Sequence, residues 1–144
     1  MNGSMRFFFY GTLMDRDVLS AVLGRRVKRS DLKPARLQGY RRAAVRGLDY
    51  PVVFSDTSGS IKGVLLDYAT VADCKKLIAY EDAGYSLVRV PVHLSGRTHA
   101  KAFLFAAKPD AFKLTRKFWS LAAWQKRYKA AAWAWIIRQK WRIV

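Results

Sequence analysis

The sequence predicts a single α+β domain, in which strand-like and helix-like segments follow one another along the chain. Of its 144 residues, 51% are hydrophobic and 14% are aromatic. This is enough apolar mass to form one core, and it excludes a disordered chain. Short apolar runs bounded by glycine or proline indicate strands, whereas apolar residues at three- and four-residue spacing indicate helices. The sequence contains neither an internal repeat nor a Pro- or Ser-rich linker, so one domain is the simplest organisation.

The N-terminal segment has the pattern of a strand, a tight loop and a helix. An aromatic run over residues 7 to 10 ends at Gly11, as a buried strand does where it enters a turn. Asp15 stands at the N-cap position of the helix, and Gly24 is its predicted stop. The apolar face of this helix is formed by Val18, Leu19, Val22 and Leu23.

The segment from residue 37 to residue 67 consists of short apolar runs separated by turn residues, which indicates further strands. Residues 52 to 55 and 61 to 67 are expected to pair as a hairpin closed at Ser58-Gly59. Thr70 then caps a second helix that ends near residues 80 to 84. The residues expected to face inward on this helix are Val71, Cys74, Leu77 and Ile78.

Two more strand-like runs, at residues 85 to 94 and 98 to 106, predict another hairpin across residues 95 to 97. His93 and His99 flank this turn and could face each other. No third ligand lies near them in sequence, so we expect no metal site there. Cys74 is expected to be a packed thiol rather than a nucleophile. The chain also lacks a serine nucleophile elbow and the glycine patterns of nucleotide-binding loops.

Residues 113 to 144 form a basic tail that is helical by propensity and carries all five tryptophans. Apolar residues in it recur at three- and four-residue spacing, which favours packing on the domain of residues 1 to 112, with the cations on the solvated face. The expected packing residues are Phe118, Leu121, Trp124, Tyr128, Ala131 and Trp135. An alternative interpretation is that this tail binds anionic lipid or nucleic acid.

The charge balance is strongly positive, with 27 Lys+Arg against 10 Asp+Glu and a formal net charge of +17. Such an excess concerns partners and solubility rather than fold, and it directs attention to polyanions. The single cysteine, Cys74, excludes an intramolecular disulfide and favours a reducing, cytoplasmic location. The aromatic run before Gly11 is too short for a signal-peptide core. The apolar runs also fall short of the roughly 20 residues that span a bilayer.

Two segments could carry chemistry. The loop Tyr10-Gly11-Thr12-Leu13 lies between a strand and a helix, where backbone N–H groups can bind a carboxylate or an oxyanion, although many proteins have a plain glycine turn there. Glu81, the only glutamate, stands at the predicted end of the second helix. The helix C-terminus and Asp82 disfavour its negative charge, whereas Arg89 favours it. A carboxyl in such surroundings could act as a general acid/base, and the alternative is an exposed carboxylate paired with an arginine.

Four segments, taken in chain order, resemble the motifs of the gamma-glutamylcyclotransferase-like family, in particular those of its small gamma-glutamylamine cyclotransferase branch. Nearly the whole chain is covered. One position departs from the family pattern, because Asp82 follows the glutamate where glycine is common. The matching segments are Phe8-Phe9-Tyr10-Gly11-Thr12-Leu13, then Tyr50-Pro51-Val52 with Ser58-Gly59-Ser60 and Gly63, then Glu81 with Tyr85 and Arg89 before Val90 and Val92, and last Trp119, Trp124, Gln125 and Tyr128.

This resemblance implies a small mixed β-barrel of about six strands, flanked by helices, with a C-terminal helix along it and a substrate cavity at its mouth. The implied enzyme cyclises a gamma-glutamyl amine or dipeptide to 5-oxoproline and releases the amine, as a lyase or acyltransferase, with no cofactor. Glu81 would be the general acid/base. Tyr10, Gly11, Thr12 and Leu13 would bind the substrate.

Under the same resemblance, Tyr85 and Arg89 would orient Glu81 or have a purely structural role. The implied partner is a small gamma-glutamyl compound rather than nucleic acid, and contact of the tail with an anionic membrane stays open. A non-catalytic domain that binds a small ligand on the same fold is the remaining alternative.

Overall fold

The computed structural model describes residues 5–47, 50–81, 84–96, 98–108, 111–113 and 117–143. Within these residues, five strands close into a barrel. They are β1 (Met5–Phe9), β2 (Leu32–Ala44), β3 (Pro51–Ala69), β4 (Tyr85–His93) and β5 (His99–Ala107), and their order around the barrel is β1-β3-β2-β4-β5. The β1–β5 pair is parallel and the other pairs are antiparallel, so the barrel is mixed, as expected.

Four α-helices accompany the barrel in the described part of the chain. They are α1 (Arg16–Leu23), α2 (Val71–Tyr80), α3 (Leu121–Arg127) and α4 (Lys129–Ile143). None of the described helices is long and apolar enough to cross a membrane. The core contains side chains from every strand and from all four helices, among them the fully buried Phe7, Leu37 and Leu77. This arrangement is the α+β class that the sequence pattern predicts and the mixed barrel that the family resemblance implies.

The predicted hairpin at Ser58-Gly59 is wrong, because β3 is one strand of 19 residues. Strand β2 runs antiparallel to it, with partners from Ala44 opposite Pro51 to Leu32 opposite Leu66. The two predicted strands at residues 52 to 55 and 61 to 67 are therefore parts of β3. This merger lowers the strand number from about six to five.

A bulge explains why polar turn residues occur inside β3. The register with β2 shifts here, because Gln38 lies opposite Ser60 but Tyr40 lies opposite Ser55. The Asp56 carboxylate accepts hydrogen bonds from the Ser58 backbone N–H at 3.1 Å and from its hydroxyl at 2.9 Å. A Cβ at Gly59 would stand 2.3 Å from the Tyr40 carbonyl oxygen, so only glycine lets the two backbones approach this closely.

Helix α1 forms where the sequence predicts it. The buried Asp15 carboxylate is its N-cap and accepts hydrogen bonds from the backbone N–H groups of Asp17 at 2.9 Å and Val18 at 3.1 Å. Gly24 ends the helix in the left-handed conformation, with φ of 70°. All four predicted apolar residues of this helix are buried.

Helix α2 begins at the predicted cap, Thr70, but its inward face differs from the prediction. The side chain of Val71 is 56% exposed and that of Ile78 is 50% exposed, so their expected inward orientation is wrong. The buried positions are Leu77 and Asp73. Asp73 closes a capping box with Thr70 and accepts a hydrogen bond at 2.8 Å from Arg25, just after α1, so the pairing of this buried carboxylate with a partly exposed arginine sets the rotation of this helix.

The C-terminal tail folds as two helices, because the backbone breaks at Tyr128 (φ −121°, ψ −18°). Before the break, Trp124 is buried as expected. After it, the packed residues are Ala132, Trp133 and Ile136 rather than Ala131 and Trp135, because the break changes which positions face the core. The expected packing of Phe118 is also wrong, since its side chain is 99% exposed.

The β4–β5 hairpin is confirmed, and His93 lies directly opposite His99 with the two ring centroids 4.3 Å apart. Among the described residues, no group of three or more His, Cys, Asp or Glu side chains could hold a metal ion. The two histidines thus form an aromatic contact across the hairpin.

Candidate active site

A cavity of about 520 Å³ lies at the end of the barrel where β1 and β5 finish and β3 and β4 begin. Helices α3 and α4 supply one of its walls. Its volume is within the range of sites that enclose a whole small molecule, about 300–1,000 Å³. The lining residues are Phe8, Phe9, Tyr10, Gly11, Thr12, Leu13, Tyr50, Pro51, Tyr80, Glu81, Tyr85, Phe105, Trp124, Ala131, Ala132, Trp135 and Ile136.

The loop from Tyr10 to Leu13, predicted from the sequence, lines this cavity. Leu13 is buried, and Thr12 begins a 3₁₀ turn that leads into α1. The first N–H groups of such a turn have no acceptor within it, so those of Thr12 and Leu13 are suited to receive an anionic group. Gly11 packs closely on the ring of Pro51, where an added Cβ would stand 3.2 Å from the ring carbons.

Side chains on neighbouring elements fix this loop. The Tyr10 hydroxyl donates a hydrogen bond to the Phe105 carbonyl at 2.5 Å, and Arg42 donates one to the Tyr10 carbonyl at 2.6 Å. The Thr12 and Tyr80 hydroxyls lie 3.1 Å apart. The loop is thereby joined to β5, to β2 and to the last residue of α2.

Glu81, which follows the last residue of α2, lines the same cavity. It is the half-buried C-cap of α2, and its backbone N–H donates a hydrogen bond to the Leu77 carbonyl at 3.1 Å. Lys76 of α2 also donates a hydrogen bond to the Leu23 carbonyl at 2.9 Å, where α1 ends. The contact between the Thr12 and Tyr80 hydroxyls joins the loop to the residue that directly precedes Glu81. Of the lining residues that the structure describes, Glu81 is the only one with a charged side chain.

Two tyrosines lie beside Glu81 in the cavity. Burial raises the pKa of Tyr10 well above its ordinary value, and the neighbouring Tyr85 and Glu81 raise it further. Tyr85 is buried too, and its hydroxyl donates a hydrogen bond to the Pro51 carbonyl at 3.0 Å. Tyr10 therefore stays protonated at neutral pH, and both phenols are held by backbone carbonyls. The site combines one carboxyl group with neutral hydroxyls and apolar walls.

Arg89, expected to orient Glu81, does not line this cavity. Its side chain is exposed on β4, and its guanidinium lies 6.0 Å from the ring centroid of Phe103 on β5. The structure thus brings together Tyr85 and the predicted loop with Glu81, but not Arg89. Asp82, the departure from the family pattern, lies outside the described residues.

Several residues of the site were not assigned a role from the sequence. Tyr80 directly precedes Glu81 and could have been found by that adjacency. Arg42, whose pKa is lowered by burial, supports the loop and has its guanidinium carbon 6.0 Å from the ring centroid of Trp119. The sequence carries no local signal for Arg42, because the loop lies 32 residues away. The wall from α3 and α4 was expected to pack on the barrel, not to line its cavity.

The tail is anchored at the residue that caps α1. Gln125 and Lys129 each contact the Asp15 carboxylate at 2.9 Å, and Lys129 also pairs with Asp17 at 2.7 Å. Burial alone would raise the pKa of Asp15, but the hydrogen bonds from Lys129, Gln125 and the Val18 N–H outweigh it and leave the pKa lowered. The ionised Asp15 therefore joins the end of the Tyr10–Leu13 loop to the wall of the cavity.

Comparisons with known proteins agree with this architecture. A curated relative, Protein AIG2 C of Arabidopsis thaliana, is 32% identical over 89 residues, which are 62% of this chain and 52% of that protein. The chain thus spans about half the length of this relative.

Solved structures share the fold. A solution structure of an Arabidopsis thaliana protein superposes with a TM-score of 0.69 at 23% identity, covering 96% of this chain and 82% of that one. A structure named gamma-glutamyl cyclotransferase gives a TM-score of 0.58 at 12% identity, covering 77% and 69%. The family model described as "Gamma-glutamyl cyclotransferase, AIG2-like" matches residues 7–126. The chain therefore belongs to the gamma-glutamyl cyclotransferase, AIG2-like family.

Proposed function

We propose that this protein is a gamma-glutamylcyclotransferase that converts a gamma-glutamyl amine or dipeptide into 5-oxoproline and a free amine. The observation that carries the proposal is the position of Glu81, the only charged side chain among the described lining residues, in one cavity with the Tyr10–Leu13 loop. Membership of the family supports the same reaction class. The proposed substrate is a small molecule, and no cofactor takes part in the proposed steps.

The proposed reaction moves two protons from the α-nitrogen to the leaving nitrogen and needs no covalent enzyme intermediate. The Glu81 carboxylate removes a proton from the substrate's α-ammonium group, and the resulting amine attacks the side-chain amide carbon. A new C–N bond closes the five-membered ring, and the amide oxygen becomes an oxyanion. The protonated Glu81 then gives this proton to the leaving nitrogen as the carbonyl re-forms and the original C–N bond breaks. The regenerated carboxylate removes the second proton from the ring nitrogen and passes it to the released amine, which leaves as an ammonium ion. Enclosure in the cavity favours this intramolecular attack because it holds the substrate folded.

The loop has the complementary role in this proposal. The backbone N–H groups of Gly11, Thr12 and Leu13 bind the substrate's α-carboxylate or the developing oxyanion, as donors fixed before the substrate arrives. Tyr85 lines the same cavity and orients Glu81 in this proposal by packing, because its hydroxyl proton is donated to the Pro51 carbonyl. Arg89 has no such role here because its guanidinium lies over Phe103, away from the cavity.

The tail is a wall of the cavity in this proposal rather than a surface for lipid or nucleic acid. Trp124 and Ile136 are buried, and both line the cavity. Lys129, one of the tail's cations, is engaged with Asp15 and Asp17. These contacts favour the interpretation in which the tail packs on the barrel.

The test is a 5-oxoproline assay on a panel of gamma-glutamyl amines and dipeptides. Glu81→Gln removes the proton acceptor with little change of shape, and we expect kcat to fall by at least about a hundredfold. Glu81→Asp retains a carboxyl group but withdraws it by one methylene, and intermediate activity is expected. Asp67→Asn is the matched control, since it removes a carboxylate that pairs with Arg6 and Lys33 outside the cavity.

Failure of the protein to turn over any member of the panel refutes the proposal. In that case, calorimetric binding of the same compounds would favour the alternative of a non-catalytic ligand-binding domain. Full activity of folded Glu81→Gln would refute the role of Glu81 while retaining the reaction.

A further inference from the structure

The cavity wall formed by α3 and α4 differs chemically from the rest of the site. From the Tyr10–Leu13 loop and the end of α2 come three hydroxyl groups, backbone N–H groups and the Glu81 carboxyl group. From the tail come only apolar or aromatic residues, which are Trp124, Ala131, Ala132, Trp135 and Ile136. Starting from the proposed function, we infer that this wall binds the leaving amine, and that this amine carries an uncharged apolar or aromatic substituent rather than a carboxylate.

The first support is the distribution of polar groups in the cavity. The glutamyl part of a substrate carries an ammonium and a carboxylate, and the polar groups that match them lie on the loop and at Glu81. With the glutamyl part held there, the inference places the substituent on the leaving nitrogen against the tail. An apolar substituent there would be removed from water against apolar surface, which gains about 25 cal/mol per Å².

The charges around the cavity also favour a leaving amine without a carboxylate. Among the lining residues that the structure describes, none is Lys, Arg or His, so a second carboxylate on a leaving amino acid would face no cation of the lining. Lys129, at the start of α4, is paired with Asp15 and Asp17. Moving a carboxylate from water to an apolar wall without such a partner is costly. The chain's large net positive charge therefore does not extend to the described lining of this cavity.

The third support is Trp135 itself. Its side chain lines the cavity and is nevertheless 49% exposed, so it stands at the opening rather than in the core. An aromatic substituent that extends from the leaving nitrogen towards the opening would cover this exposed ring and could stack on it. Trp124 and Ile136, both 2% exposed, form the buried part of the same wall.

Three matched substrates separate the effect of the carboxylate from that of the aromatic ring, and kcat/KM is measured for each. Gamma-glutamyl-phenethylamine and gamma-glutamyl-phenylalanine differ only by the carboxylate, and gamma-glutamyl-ethylamine lacks the ring. We expect the phenethylamine compound to exceed each of the other two by about tenfold or more, within the range that pocket contacts provide. A preference for gamma-glutamyl-phenylalanine, or equal rates for all three, would overturn the inference while leaving the cyclotransferase in place.

Two variants test whether the tail causes the preference for the phenethylamine compound. Trp135→Ala should lower kcat/KM for the phenethylamine compound about tenfold and leave that for the ethylamine compound within about twofold. Ile137→Ala is the control, because Ile137 is the half-exposed neighbour on α4 and does not line this cavity. Equal losses on both substrates in Trp135→Ala would contradict the inference.

Ala131→Arg tests the charge argument by a gain of function. Ala131 lines the cavity at an exposed position, so a longer side chain can be accommodated there. The added guanidinium should raise the relative kcat/KM for gamma-glutamyl-phenylalanine, and no change in that ratio counts against the inference. Turnover of none of the three substrates by the wild type would refute the proposed function and this inference with it.

Discussion

Replacing Asp15 by alanine should destabilise the protein and loosen the tail. The buried Asp15 carboxylate accepts hydrogen bonds from two backbone N–H groups at the start of α1, and it also contacts Gln125 and Lys129 at 2.9 Å. Alanine provides none of these acceptors. Gln125 loses its carboxylate partner, whereas Lys129 keeps its contact with Asp17.

The expected loss follows from these contacts. Loss of an N-cap costs about 1 kcal/mol, and loss of hydrogen bonds to a charged group costs about 1.5–3 kcal/mol. Lys129 keeps its contact with Asp17 and is partly exposed, so losing its contact with Asp15 should cost an amount near the lower end of the range for hydrogen bonds to a charged group. Asp15→Ala should therefore lower the free energy of unfolding by about 2–4 kcal/mol, which urea denaturation followed by tryptophan fluorescence would measure.

Asp15→Asn separates capping from charge. Asparagine is as good an N-cap as aspartate, so this variant should lose less stability than Asp15→Ala. The pKa of Asp15 is lowered in the folded protein, so its charge contributes full stability above the unfolded value of about 3.9. That contribution disappears as the pH falls through the lower folded value. The stability gap between wild type and Asp15→Asn should therefore close in strong acid.

A loss below about 0.5 kcal/mol in Asp15→Ala, which is the range of ordinary surface substitutions, would refute this reasoning. A stability gap between wild type and Asp15→Asn that does not change between neutral and strongly acid pH would refute the electrostatic part alone.

Three other predictions concern the support of the site. A Cβ at Gly63 would stand 2.3 Å from the Phe9 carbonyl oxygen, so Gly63→Ala should cost about 1–3 kcal/mol in urea denaturation, and wild-type stability would contradict the packing described. Arg25→Met leaves the buried Asp73 without its ion-pair partner and should lower the free energy of unfolding in urea denaturation by about 1 kcal/mol. The loss is modest because Arg25 is partly exposed. Arg42→Met removes the donor that holds the loop, so kcat/KM for a gamma-glutamyl substrate should fall about tenfold or more, and an unchanged value would exclude this support.

The sequence predicts those parts of the fold that local interactions determine. The Asp15 cap, the Gly24 stop, the Thr70 cap and the hairpin after β4 each depend on residues close together in the chain. The continuity of β3 does not, because Gly59 is needed where the backbone of Tyr40 approaches it from another strand. A polar glycine segment in a bulge and one in a hairpin turn look alike in sequence.

Long-range contacts account for the remaining differences. The rotation of α2 depends on the pairing of Asp73 with Arg25, 48 residues earlier. The tail lines the cavity because Gln125 contacts Asp15 across 110 residues. Glu81 and the Tyr10–Leu13 loop were found through short motifs, whereas no motif marks the apolar wall that completes the cavity.

If Glu81 transfers protons in an intramolecular cyclisation, the products of the reaction distinguish this from hydrolysis by water. Gamma-glutamyl-phenethylamine is incubated with the wild type and with Glu81→Gln in water labelled with the heavy oxygen isotope. The products are then identified by mass spectrometry. We expect unlabelled 5-oxoproline and free amine in equal amounts from the wild type, and almost none from Glu81→Gln. Labelled glutamate would instead indicate hydrolysis by water, and undiminished 5-oxoproline from Glu81→Gln would contradict the role of that residue.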